Sequence, residues 1–266
     1  MTLSCIQQPH EHLDANLTDG VLTLAINRPK AKNALYGELY LWIAKALDEA
    51  DVDKDVRVVI LRGADADFSA GNDMQDFMKS AAMKDQIRPQ DGPPFVLLKS
   101  AAQFSKPLIV AVRGVAIGIG VTILLHADLV YTDHTAVFQI PFVSLGLSPE
   151  GASSKLLVKQ AGYHQAAELL LTAQKFNSEK ALQIGLVNSI EEDAYAKAAQ
   201  QAQTLAALPL ASLVQSKALM KHNVKEIVEW IDHEAEIFMQ RVGSPEMMEA
   251  VGAFMQKRKP DFTQFN

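Results

Sequence analysis

The chain has 266 residues, 48% of them hydrophobic and 21% charged, the balance of a folded globular protein rather than a disordered one. Its net charge of −6, from 25 basic and 31 acidic residues, argues against a general nucleic-acid-binding surface, which would carry the opposite sign. One cysteine, Cys5, leaves no internal disulfide framework and points to a reducing compartment, with the cytoplasm as the expectation.

Met1 to Gly20 shows no basic segment leading into an apolar run, so no signal peptide is expected. Val21 to Asn27 is β-branched and apolar and closes on Arg28-Pro29, which predicts a strand ending at a turn. Leu39, Ile43, Ala46, Leu47 and Ala50 recur at helical spacing. Val56 to Leu61 reads as a second strand, stopped by Gly63. Arg88 to Pro94 is loop-like, either a mobile lid or an inert connection. Leu108 to Val112 and Leu129 to Thr132 are further strands. Between them Gly114 to Leu125, bounded by Arg113 and His126, is too short to span a bilayer and reads as a loop entering a buried helix. No membrane partner is expected.

Strands separated by helices imply α/β layering. After Gly146 the pattern is helical almost throughout, with Glu191 to Ala207, Leu210 to His222, Val224 to Arg241 and Pro245 to Gln256 as helices. Residues 1–190 then form the core and 191–266 a helical region of the same domain, because no long polar linker divides them.

Seven histidines occur, none in a His-Glu-x-x-His spacing, and no cysteine pair exists, so no metal site is expected. There is no P-loop and no Gly-x-Ser-x-Gly elbow, and Gly114, Gly118 and Gly120 do not give Gly-x-Gly-x-x-Gly. Two segments, Phe68-Ser69-Ala70-Gly71-Asn72-Asp73 and Ala116-Ile117-Gly118-Ile119-Gly120, have small residues where a ligand could approach the main chain. Each also reads as an ordinary strand-to-helix turn. In Ser148-Pro149-Glu150-Gly151 the spacing favours a helix start, with Ser148 as N-cap, Pro149 at the first position and Glu150 as a first-turn acid. Capping does not require Glu150 itself, so a general base is the other reading.

Together these segments resemble the crotonase (enoyl-CoA hydratase/isomerase) superfamily over Leu22 to Lys259. Asn27 to Leu35 is similar to the family's N-terminal signature, and Phe68 to Asp73 to its first oxyanion-hole loop. Lys106 to Gly114 leads into the second loop, and Ala127-Asp128 closes the helix that follows. The resemblance implies an α/β fold, a spiral of ββα units with a helical C-terminal trimerisation region, and a homotrimer or hexamer. It implies an acyl-CoA thioester substrate, with no separate cofactor because CoA is part of that substrate. By position, the N–H groups of Ala70 and Ile119 would hold the thioester oxygen. Ser69, Gly71, Asn72 and Asp73 would lie along CoA, and Lys257, Arg258 and Lys259 would reach its phosphates or form a solvated basic tail.

Hydratases of this family activate water with two glutamates. Thr122 stands at the first of those positions and Phe142 at the second, and neither is a base at neutral pH. The stretch Gln139 to Gly151 resembles instead the peroxisomal-type Δ3,Δ2-enoyl-CoA isomerases, whose single catalytic glutamate corresponds to Glu150. The resemblance then implies isomerisation through a thioester enolate. The alternatives are another crotonase-fold acyl-CoA reaction, a hydratase or ring-modified acyl-CoA isomerase using Asp73 or Asp76 as second carboxylate, and a non-catalytic acyl-CoA-binding protein.

Overall fold

The computed structural model describes residues 3–82 and 86–265; Met1, Thr2 and Asn266 lie outside them. Helix α1 (Ser4–Gln7) precedes a hairpin of β1 (Leu13–Thr18) and β2 (Val21–Ile26). Asp19 and Gly20, both at positive φ, make the tight turn between those strands. Next come α2 (Gly37–Val52), β3 (Val58–Gly63), α3 (Met74–Ala82), α4 (Pro93–Gln103), β4 (Leu108–Val112), β5 (Val115–Ile117) and α5 (Ile119–Thr122). β6 (Leu129–Asp133), β7 (Val137–Gln139), α6 (Ser153–Ala161), α7 (Tyr163–Thr172), β8 (Lys175–Asn177), α8 (Ser178–Gln183) and β9 (Ser189–Glu191) follow. Four helices end the chain: α9 (Ala194–Ala206), α10 (Leu210–Met220), α11 (Val224–Arg241) and α12 (Pro245–Met255).

The large sheet has the order β1-β2-β3-β4-β6-β9, parallel except for β1 against β2. β4 and Val58–Leu61 of β3 are unbroken apolar runs because helices cover both faces. Val59, Leu61 and Val110 point towards Leu39, Ile43, Leu47 and Leu98 of α2 and α4. Val58, Ile60, Ile109 and Ala111 point the other way, onto Ala194, Ala198 and Ala202 of α9. Those three alanines recur every four residues, one smooth stripe that lets the helix lie close to the sheet.

A second sheet, β5-β7-β8, is made of the segments that leave the large one. From β4 onward the chain steps from large sheet to small and back: β4, β5, β6, β7, β8, β9. Isolated bridges from Ser69 to Ala116 and from Leu35 to Asn72 carry the pairing on to the Phe68–Asp73 loop.

Several expectations are corrected here. Arg88 to Pro94 is no long lid: Pro89–Asp91 forms a 3-10 turn and Pro93 already opens α4, its missing N–H costing nothing at a first helical position. The second half is less uniformly helical than its pattern, since β8 and β9 return to the sheets. Two lysines that look like surface charges are buried. Lys106 Nζ donates to the carbonyls of Ala50, Asp53 and Val56, at 2.7, 2.5 and 2.9 Å, and so closes the end of α2. Lys217 Nζ on α10 donates to Asp128 Oδ2 (2.6 Å), which also accepts the Leu108 N–H (2.8 Å). Among the described residues no helix is long and apolar enough to cross a membrane.

Candidate active site

A cavity of about 530 Å³ opens where β5 and α5 face α3, α11 and α12. Its wall holds Ala70 and Gly71 on one side, Gly118 and Ile119 on the other, and Phe77, Phe142 and Phe238 beyond them.

The first loop is fastened from behind. Phe68 is buried, and the Ser69 N–H and C=O pair with Val115 and Ile117 like an added strand. Ser69 Oγ donates to Asn33 O (2.9 Å) and accepts from the Gly71 N–H (3.1 Å), so this side chain turns into the protein and not to the cavity. Gly71 sits at φ +84°, and a Cβ there would lie 2.6 Å from Ile117 O. Gly71→Ala is therefore expected to cost about 1–3 kcal/mol of stability and to push the two loops apart. A melting temperature equal to that of the parent would sink this reading of the loop.

Asn72 Oδ1 accepts the buried Tyr40 hydroxyl. Asp73 accepts Arg28 Nη1 (2.7 Å) and, at 3.0 Å each, the N–H groups of Gln75 and Asp76, capping α3. Burial pulls the Asp73 pKa upward, but the Asp76 N–H and the Arg28 guanidinium outweigh it and hold the carboxyl below its ordinary value. Asp76 Oδ2 accepts the Gly37 N–H (2.8 Å). Both aspartates thus serve the loop's own structure.

The second loop turns at Gly118, whose φ of +57° with ψ of −118° only glycine adopts freely. Ile119 opens α5, so its N–H has no acceptor within the helix. Ala70 differs, because its N–H already donates to Lys32 O (2.9 Å). A thioester oxygen would meet a free donor at Ile119 and would have to share or displace a carbonyl at Ala70.

Glu150 overturns the capping expectation. Ser148, Pro149 and Glu150 are not helical; α6 begins at Ser153, after Gly151 and Ala152 at φ +71° and +57°. Ser148 Oγ caps nothing and is buried without a partner. Glu150 is 1% exposed and, like Thr122, is not one of the residues lining the cavity; Thr122 Oγ1 donates to its Oε1 (3.0 Å). Thr122 lies one turn of α5 after Ile119, so one short helix carries both the free N–H and the hydroxyl that holds the carboxyl. Burial pushes the Glu150 pKa up to about 8; the Thr122 hydroxyl opposes this and the Glu234 carboxylate adds to it. Phe142 is buried in the wall with its ring edge-on to Phe238, centroids 6.2 Å apart.

Residues 16–265 match the family model for enoyl-CoA hydratase/isomerase. The chain belongs to that family. A crystal structure from Acinetobacter baumannii, assigned as an enoyl-CoA hydratase/isomerase, is 74% identical with a TM-score of 0.90, covering 92% of this chain and 99% of that one. Enoyl-CoA delta isomerase 2 of Rattus norvegicus is 34% identical over 91% of the chain, which spans 62% of the rat protein. The 2,3-dehydroadipyl-CoA hydratase of Escherichia coli K12 is 30% identical over 91% of the chain and 94% of its own length. The alternating sheets and C-terminal helices are accordingly the crotonase fold, and the enzyme is one of acyl-CoA chemistry. Relatives in this family carry out different reactions, so the residues of the cavity have to decide between them.

Thr122 is the residue that sequence reasoning undervalued: it appears there only as the loss of a glutamate, and here it holds Glu150. Lys257, Arg258 and Lys259 follow α12 on the exposed surface, with Arg258 Nη2 on Glu249 Oε2 at 2.8 Å.

Proposed function

We propose that this family member is a Δ3,Δ2-enoyl-CoA isomerase in which Glu150 is the only general base. The observation that carries the reading is the Thr122–Glu150 pair: a buried carboxyl held from the helix that presents the Ile119 N–H. A thioester C2–H is too weak an acid to lose its proton at neutral pH unless the enolate oxygen is stabilised. Preorganised N–H donors supply that, each worth about 3–4 kcal/mol in comparable sites. Glu150 takes the C2 proton of a 3-enoyl-CoA, the enolate delocalises through the C3–C4 double bond, and the same carboxyl returns the proton to C4. The double bond moves to C2–C3 and no atom is gained or lost. A raised pKa fits a group that must both accept and release the proton.

Two further observations support isomerisation over hydration. Phe142 occupies the second glutamate position with a hydrocarbon ring, and Asp73 and Asp76 are taken up by Arg28 and by backbone N–H groups. The test is turnover of 3-enoyl-CoA against 2-enoyl-CoA at several chain lengths. The expected result is conversion of the first to the second with no 3-hydroxyacyl-CoA. Hydration of 2-enoyl-CoA at a comparable rate would overturn the proposal.

A further inference from the structure

We propose that His126 is a positioning residue for Glu150, a role that rests on the reading of Glu150 as the base. Its Nε2 lies 2.9 Å from Gly151 O, the carbonyl next along the chain from the catalytic carboxyl. A carbonyl only accepts, so Nε2 carries the hydrogen and donates. The imidazole is 2% exposed, and burial, with Lys221 nearby, depresses its pKa to about 3. It is therefore neutral around pH 7, with its Nε2 hydrogen committed to the Gly151 carbonyl.

The backbone it grips is a strained one. Gly151 and Ala152 take successive left-handed conformations, and Ala152, fully buried, has a Cβ that disfavours this geometry. This double turn is what lifts Glu150 out of helix α6 and sends its carboxyl to Thr122. Without an outside hold the chain would relax by letting Ala152 fall back into the right-handed region, carrying Glu150 with it. Four residues supply the hold. His126 takes the carbonyl of Gly151; Leu98 and Thr122 close on the Gly151 Cα, where an added Cβ would meet both at 3.2 Å. On the far side Glu234 Oε1 accepts the Ser154 N–H (3.0 Å). His126 is in turn seated by Lys221, whose Nζ donates to its carbonyl (2.5 Å).

The experiment compares His126→Leu with His126→Gln, whose amide nitrogen reproduces the place of Nε2. His126→Leu is expected to lower kcat about 100-fold, the loss that a misplacement of about 1 Å produces, with KM for the acyl-CoA nearly unchanged. The pH at which activity rises should move upward, because a displaced Glu150 loses the Thr122 hydrogen bond that lowers its pKa, while the neutral imidazole adds no titration of its own. His126→Gln should keep most of the parent kcat. Adding Ala152→Gly to His126→Leu should recover about fivefold, since glycine removes the penalty of the left-handed turn. Should His126→Leu not fold, His126→Asn, too short to span to Gly151 O, takes its place. Parent kcat in the leucine variant, or an equal loss in the glutamine variant, overturns the proposal. Full activity in Glu150→Gln would instead sink the assignment of the base itself.

Discussion

Replacing Glu150 with Gln is expected to lower isomerase turnover by about 10²–10⁴-fold, the usual contribution of one positioned general base. The amide keeps the shape of the carboxyl, and its Oε1 still accepts from Thr122 Oγ1, so the turn at Gly151 and Ala152 has no reason to move. Acyl-CoA affinity should therefore survive, because it rests on the apolar cavity and on the main-chain donors. The measurement is a pair: turnover of 3-enoyl-CoA and binding of a saturated acyl-CoA by calorimetry. Loss of both would mean a broken fold, and retention of turnover would remove Glu150 from the mechanism. In the unmodified enzyme kcat/KM should rise with pH through about 8, since the base acts only once it is ionised.

The same substitution is expected to stabilise the protein in alkali. Burial holds the Glu150 pKa at about 8 against an ordinary 4.5, so the folded chain binds this proton more tightly than the unfolded chain. Between those two pH values the folded state carries the extra proton and loses stability as pH rises. The benefit is complete below about 4.5 and gone above about 8. At about 1.36 kcal/mol per pH unit, the whole difference is at most about 5 kcal/mol. Glutamine carries no charge to bury and is spared that loss. The melting temperature of Glu150→Gln relative to the parent should thus be small at pH 5 and climb to pH 9, by about 2–4 °C per kcal/mol. Titrating groups away from Glu150 are shared by the two proteins and cancel in the difference; Glu234, whose charge acts on Glu150, is the coupled neighbour and does not cancel. Parallel melting curves from pH 5 to 9 would show that Glu150 ionises without strain.

The residues differ in how plainly the sequence announces them. The long strands and the last four helices are legible because hydrophobic period and turn residues agree; α11 begins and ends as its pattern predicts. β1 is not, although Asp19-Gly20 is a strong local hairpin signal. Its six residues do alternate apolar and polar, but Ala15 is a weak apolar position and the run is short. β5, β7, β8 and β9 have three residues each, too few for a period to show. The two loops announce themselves by their small residues, because glycine alone fits Gly71 and Gly118. Glu150 is the opposite case. Its position is readable from the Pro-Glu-Gly string, but the same letters describe a capped helix start. What separates the readings is an alanine at positive φ, and nothing in the letter Ala152 reports that. Lys106, Lys217 and Asp128 look like solvated charges until the carbonyls and N–H groups they satisfy are seen.

The stripe of Ala194, Ala198 and Ala202 on α9 bears on how the protein is made. Val58, Ile60, Ile109 and Ala111 are in place on the nascent chain long before residues 194–206 emerge to cover them. Synthesis runs at about 5–20 residues per second, so this β-branched face waits several seconds or more on the ribosome without its helix. A ribosome-stalled chain ending near residue 190 should then bind holdase chaperones, and one extended past 206 and clear of the exit tunnel should let them go.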